Sequence, residues 1–242
     1  MMNTMITKKY TDNKEVDIKD LEYLRKFMNL NEADCESIRL IKSVIDRELP
    51  PALDRFYEQV RKTPETNAFF SSEAKIEHAK NAQQEHWKNI SSAAFDQKYA
   101  EKVHTIGSVH ARIGLEPRWY IGGYAILLDH LIRSIVAEMA PKNRIFGKKA
   151  DISAEKMGAS LASLCKAVML EMNQTISVYL DEAEKERKKS RDEAIQKERT
   201  FVVDSFGLIL SEVADRNLSQ KMERDVPVAY VPLRENLNGA VD

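Results

Sequence analysis

The chain has 242 residues and a mass of 27.7 kDa, enough for one sizeable core plus a second small unit. Its 37 Lys and Arg nearly cancel 38 Asp and Glu, which removes the electrostatic case for nucleic acid as a partner. Only 8 Gly and 7 Pro punctuate long periodic stretches, so the expected class is an all-α protein. Cys35 and Cys165 lie far apart and fit reduced thiols in a cytoplasmic setting. The longest apolar run, 120–128, is broken by Asp129 and His130, so no segment is expected to span a bilayer. Lys8, Lys9, Asp12 and Lys14 leave no export signal.

In chain order, residues 1–16 are polar and read as a disordered tail, and Asp17 caps a short helix carrying Leu21, Leu24 and Met28. A second helix is expected over 31–46, with Ile38, Ile41 and Ile45 on one side. A third starts at Pro50 and Pro51, carries Leu49, Leu53, Phe56, Tyr57 and Val60 as a stripe, and ends at Pro64. Ser72 opens a long helix to Ser92. The next runs from Asp96 to Arg112 and is stopped by Gly114 and Pro117. Two longer helices follow over 117–139 and 152–181. Residues 181–199 hold only Ala183, Ala194 and Ile195 as apolar positions and read as a solvated helical connector. A new apolar helix is expected over 201–210, and the closing segment from Leu233 looks like another. The expected domains are therefore 17–180, a connector over 181–200, and linker helices over 201–242.

His110 is the most informative residue. Tyr99, Val103, Ile106, His110 and Ile113 recur at spacings of four, three, four and three, so the imidazole sits in an otherwise apolar stripe. Gly107 and Gly114 flank it on the same face and clear room for a flat macrocycle. An imidazole projecting from an apolar wall is what an iron porphyrin asks of its axial ligand. A core histidine bonded to a backbone carbonyl has the same sequence signature.

Tyr57 faces inward on its stripe, where its hydroxyl needs a partner and makes a good donor to a polarised gas ligand such as O2. The alternative is a core-edge tyrosine reaching water. Ile76, Lys80, Gln83, Trp87 and Ile90 share one face of the intervening helix. Trp87 and the isoleucines read as core. Gln83 reads as a second distal donor, and Lys80 either reaches a porphyrin propionate or marks where the stripe leaves the core. Among the other histidines, His104 lies about 240° around the helix from His110 and is excluded from the same metal. His86 adjoins Trp87 and is a minor candidate for a second axial ligand, while His78 and His130 have weaker claims.

The run Val109-His110-Ala111-Arg112-Ile113-Gly114-Leu115-Glu116-Pro117 followed by Trp119-Tyr120, together with Arg55-Phe56-Tyr57 and Trp87, resembles the globin-coupled sensors, the haem-based gas-sensor branch of the globins. The resemblance covers roughly 17–180. It implies a globin-like sensor fold with an extra N-terminal helix, haem b (iron protoporphyrin IX) as cofactor, and His110 as its iron ligand. It further implies Tyr57 as distal donor, with Phe56, Gln83, Lys80 and Trp87 around the pocket. Tyr120 becomes the proximal tyrosine whose contact with His110 changes on ligation. Lys80 departs from the family, which commonly has an aliphatic residue there.

Val213-Ala214-Asp215-Arg216-Asn217-Leu218 and the closing Leu233 to Asp242 segment more weakly resemble the run into the signalling helices of bacterial chemoreceptors. The expected function is thus a non-enzymatic O2 sensor, also open to CO or NO, that signals to chemotaxis proteins through an output module expected beyond Asp242. A homodimer is expected through the last two globin helices, using Ile126, Leu131 and Ile135 with Leu161, Leu164, Val168, Met172 and Ile176. Rival readings are a cyclase or histidine kinase output, a haem-free globin-like interaction domain, and a nitric-oxide dioxygenase. The last lacks any flavin or nicotinamide site.

Overall fold

A computed structural model describes residues 18–140, 153–217, 221–223 and 225–241. The expected tail over 1–16 and the Asp17 cap lie outside them. The described elements are helical: α1 (Ile18–Phe27), α2 (Glu32–Lys62), α3 (Pro64–Asn67), α4 (Glu73–Ser92), α5 (Gln97–Arg112), α6 (Pro117–Met139), α7 (Ala154–Ala214), a 3-10 turn (Val228–Tyr230) and α8 (Val231–Val241). The bounds of α4, α5 and α6 agree with the sequence reading.

The two helices expected over 31–46 and 50–63 are one helix, α2, with Pro50 and Pro51 in its interior. An interior proline removes a backbone hydrogen bond and usually breaks a helix. Here the apolar stripe keeps its spacing straight across the break: Ile38, Ile41, Ile45 and Leu49 lead into Leu53, Tyr57 and Val60, all buried. Burying both halves against the same core outweighs the lost bonds.

The start of α2 is fixed by a reciprocal cap. Asp34 N–H donates to Asn31 Oδ1 at 3.2 Å, and Asn31 N–H donates to Asp34 Oδ2 at 3.0 Å. Asp34 Oδ1 also accepts from Ser163 Oγ at 2.8 Å and Lys166 Nζ at 2.9 Å, which ties α7 to this helix end. Burial pushes the Asp34 carboxyl up, but hydrogen bonds from Lys166, the Asn31 backbone and Ser163 outweigh it and hold it below its ordinary value.

Helix α6 corrects the expectation that no segment is long and apolar enough to cross a membrane. Its 18-residue window averages a hydropathy of 1.2 despite Asp129 and His130, the one such helix among the described residues. In the structure it packs along α2 and buries Tyr124, Leu127, Leu131, Ile135 and Met139 in the shared core.

Helix α7 corrects another expectation. It runs without break from Ala154 to Ala214, so 201–210 continues it rather than starting a new helix. The chain divides into two compact units, 1–182 and 183–242. The first holds the main core. The second has a small core of Phe206, Ile209 and Met222 with Phe201, Val213, Val226 and Leu237. The Asn238 side chain brackets Met222 there, accepting from its N–H at 2.7 Å and donating to its carbonyl at 3.2 Å.

Candidate functional site

Both ends of α5 are built by the sequence around it. Asp96 caps the start, its carboxylate accepting from Tyr99 N–H at 2.9 Å. At the other end Gly114 adopts φ +72°, a left-handed conformation glycine takes without a Cβ penalty. Leu115 N–H then donates to the His110 carbonyl at 3.0 Å and Gly114 N–H to Ala111 at 3.0 Å. This double closure holds the turn that carries His110.

The stripe expected on α5 is buried at Tyr99 and Val103, half-buried at Ile106 and His110, and turned out to solvent at Ile113. Gly107 does not clear a space beside the imidazole, whereas the position of a Cβ on Gly114 is open. A Cβ on Gly107 would meet the Val178 side chain at 2.8 Å and the Thr175 carbonyl at 3.0 Å, so this glycine admits α7. Gly114 serves the cap.

The His110 Nδ1 atom is buried without a hydrogen-bond partner. Burial pushes the imidazole pKa down to about 4, against a smaller upward pull from Glu171, so at neutral pH the ring is uncharged. The Tyr120 ring packs on it, with centroids 5.0 Å apart. The Tyr120 hydroxyl turns toward α7, 3.0 Å from Thr175 Oγ1 and 3.5 Å from Glu171 Oε1, and lies 3.4 Å from the Tyr124 hydroxyl.

Glu171 is fully buried and gathers side chains from three other helices. Tyr99 donates its hydroxyl to Oε2 at 2.5 Å. His86 Nε2 lies 2.8 Å from Oε1, close enough for a charge contact but off the line of a straight hydrogen bond. Burial, then Glu171, raises the hydroxyl pKa values of Tyr99 and Tyr120; at Tyr124 burial and then Tyr120 do so. The sequence reading did not single out Glu171. Its signal was a glutamate on the buried face of α7, three residues after Val168 and four before Thr175.

On α2, Tyr57 is buried and packs edge-on against Phe56 and Phe70, with centroids 4.9 and 6.0 Å away. Burial, with Glu77 adding, raises its hydroxyl pKa, so it is a neutral donor. Gln83 Oε1 is buried without a partner. Trp87 is buried beside Tyr124, at 5.8 Å, with Ile76 and Ile90 in the same core. Lys80 does not point to a pocket: it pairs with Asp54 at 2.5 Å, so the stripe leaves the core there. His86 lies 2.8 Å from Glu171 and stacks on Tyr99 at 6.4 Å. His130 bridges Arg55 and Glu48 on the α2–α6 surface, while His78 and His104 are exposed.

The structure thus brings His110 and Tyr120 together, while Tyr57 and Gln83 lie on separate elements, α2 and α4. A neutral, half-buried imidazole with an orphaned Nδ1, plus a buried tyrosine and a glutamine with an unpartnered Oε1, is a donor set that fits a haem. Among the described residues no cluster of three or more His, Cys, Asp or Glu offers a different metal site.

Residues 17–185 match the family described as Protoglobin. A curated relative, the heme-based aerotactic transducer HemAT of Halobacterium salinarum, is 25% identical over 131 residues. That span is 52% of this chain and 25% of the relative, so the chain spans about a quarter of that protein's length. Among solved structures, the globin domain of a Geobacter sulfurreducens globin-coupled sensor superposes with a TM-score of 0.56 at 15% identity, covering 65% of this chain and 96% of the domain. The globin domain of E. coli DosC in its ferric form gives 0.48 at 20% identity, over 64% and 97%. The likeness to the Geobacter domain shows a globin fold.

Proposed function

The chain belongs to the protoglobin family, and from that premise we propose that its first unit is a haem-binding gas-sensor domain, with His110 the iron ligand and O2 the signal. Haem b, when bound, supplies an iron that takes up a diatomic gas such as O2, CO or NO. The observation that carries the reading is His110 itself: a half-buried, uncharged imidazole with a buried, orphaned Nδ1, packed on a tyrosine ring. Such a ring offers its nitrogen lone pair without first shedding a proton. Tyr57 is the hydroxyl donor of the opposite wall, in a dry setting walled by Phe56 and Phe70. Gln83 supplies a second polar group, and Trp87 backs the pocket from the core. The family match and the transducer among the relatives support reading the chain as a sensor and not as an enzyme.

The domain is proposed to occupy 17–180, to continue through the connector of α7 over 181–200, and to pass its signal through 201–242 to a chemotaxis output in the cytoplasm. The aerotactic transducer among the relatives supports that output over a cyclase or kinase. A homodimer through α6 and α7 is part of the proposal, but five of the residues named from sequence are taken up by the core. Leu131, Ile135, Leu164, Val168 and Met172 fill the core of the single chain. The apolar residues left outside are Ile121 and Val136 on α6 and Met169 and Leu180 on α7.

The test is His110→Ala. Stoichiometric haem and the Soret band of the native protein should be lost, and an unchanged spectrum would refute the assignment.

A further inference from the structure

We propose that Glu171 is a positioning residue for His110, the buried end of a hydrogen-bond chain that runs from the imidazole through the Tyr120 hydroxyl into α7. This rests on His110 being the haem ligand. An imidazole that gives one nitrogen to a metal carries its hydrogen on the other, and that N–H needs an acceptor. His110 Nδ1 has none in the structure. The polar atom of the ring packed against it is the Tyr120 hydroxyl oxygen. A phenol that accepts there has one hydrogen to pass on, and the acceptors around it are Thr175 Oγ1 at 3.0 Å, the Tyr124 hydroxyl at 3.4 Å and Glu171 Oε1 at 3.5 Å, the carboxylate being the charged one of the three.

Glu171 is anchored for this task. Oε2 accepts from Tyr99 at 2.5 Å, and His86 Nε2 sits 2.8 Å from Oε1, the oxygen that also faces Tyr120, so α4 and α5 fix the carboxyl while α6 brings Tyr120 to it. Hydrogen bonds in series polarise one another. A carboxyl drawing on the Tyr120 hydrogen makes that oxygen a stronger acceptor for His110, and the imidazole a stronger base toward the metal. Glu171 and Thr175 are one turn apart on α7, the helix that continues to Ala214. The chain of bonds is therefore a polar link from the ligand-bearing turn to that helix, separate from the apolar packing.

The readout is the iron–histidine stretching band of the ferrous, gas-free protein. Glu171→Gln and Tyr120→Phe should each shift it to lower frequency, and Glu171→Asp should shift it less than Glu171→Gln. The double variant should go no further than Tyr120→Phe alone, because Glu171 acts through Tyr120. A band unmoved in Glu171→Gln, or additive shifts in the double variant, overturns the proposal. If circular dichroism shows Glu171→Gln unfolded, Thr175→Val and Glu171→Asp decide it: a downward shift in both supports the chain of bonds, and an unmoved band in either overturns it. The His110→Ala control separates the two readings. Haem retained there with the native spectrum sinks the ligand assignment, whereas haem lost there with the band fixed in Glu171→Gln sinks only the relay.

Discussion

Tyr57 has one hydroxyl hydrogen and a dry, aromatic surround of Phe56 and Phe70. A hydrogen bond given there to a partly negative gas ligand is worth roughly 1–3 kcal/mol, because no water competes for it. Tyr57→Phe is therefore expected to speed O2 release by between about fivefold and about 150-fold, read by stopped-flow mixing with an O2 scavenger. An unchanged off-rate removes Tyr57 from the site. Gly114 bears on the opposite wall by a different route. Its φ of +72° closes the turn after His110, so Gly114→Ala is expected to cost about 1 kcal/mol of stability in urea titration, with the loss centred on the end of α5.

At the scale of elements, two close crossings make opposite forecasts. A Cβ at Gly107 meets the branched Val178 side chain and the Thr175 backbone, neither of which swings away; one at Gly123 meets the outer edge of the Phe56 ring. Alanine improves helix propensity by about 1 kcal/mol at either place, and overpacking costs about 1–3 kcal/mol where nothing yields. Gly107→Ala should thus lower the thermal midpoint of the haem-free protein, while Gly123→Ala should leave it nearly unchanged. The tie of α7 to the start of α2 carries a pH signature. Asp34 is held below its ordinary value, so its contribution is complete above the unfolded carboxyl range and is lost as pH falls below that range toward the lowered folded value. Asp34→Asn should flatten the decline of urea midpoints between about pH 5 and pH 3.

These same elements show what the residues alone disclose. Periodicity and caps locate α4, α5 and α6 because Ser72, Asp96 and Pro117 mark their starts and their apolar stripes are local. The two prolines of α2 mislead, since only the tertiary burial on both sides explains a helix that survives them. Motif and spacing single out His110 and Tyr57 as candidates and the family resemblance adds Tyr120, and the structure brings His110 and Tyr120 into ring contact. Glu171 is not singled out, because a single glutamate among leucines declares its partners only when four helices meet around it.

For the whole molecule, burial decides which apolar residues are available to a second copy. Ile121, Ala125, Leu128, Ile132 and Val136 recur along α6 at spacings of four, three, four and four; Ala162, Cys165, Met169, Ile176 and Leu180 recur along α7 at three, four, seven and four. Both stripes lie beside the core positions and not on them, and Ile121, Val136, Met169 and Leu180 are the large apolar residues there that stay exposed. Two stripes from each of two copies make a four-helix bundle, an arrangement able to shift between packings when one helix moves. Light scattering should show a dimer at micromolar concentration. Met169→Lys should convert it to a folded monomer with an unaltered haem spectrum, since its side chain leaves the core untouched. Leu164→Ala should behave in the reverse way, costing about 2–5 kcal/mol of stability by opening a cavity inside each copy while the surviving folded protein still pairs. A native chain that stays monomeric, or a Met169→Lys variant that stays dimeric, removes this face as the interface.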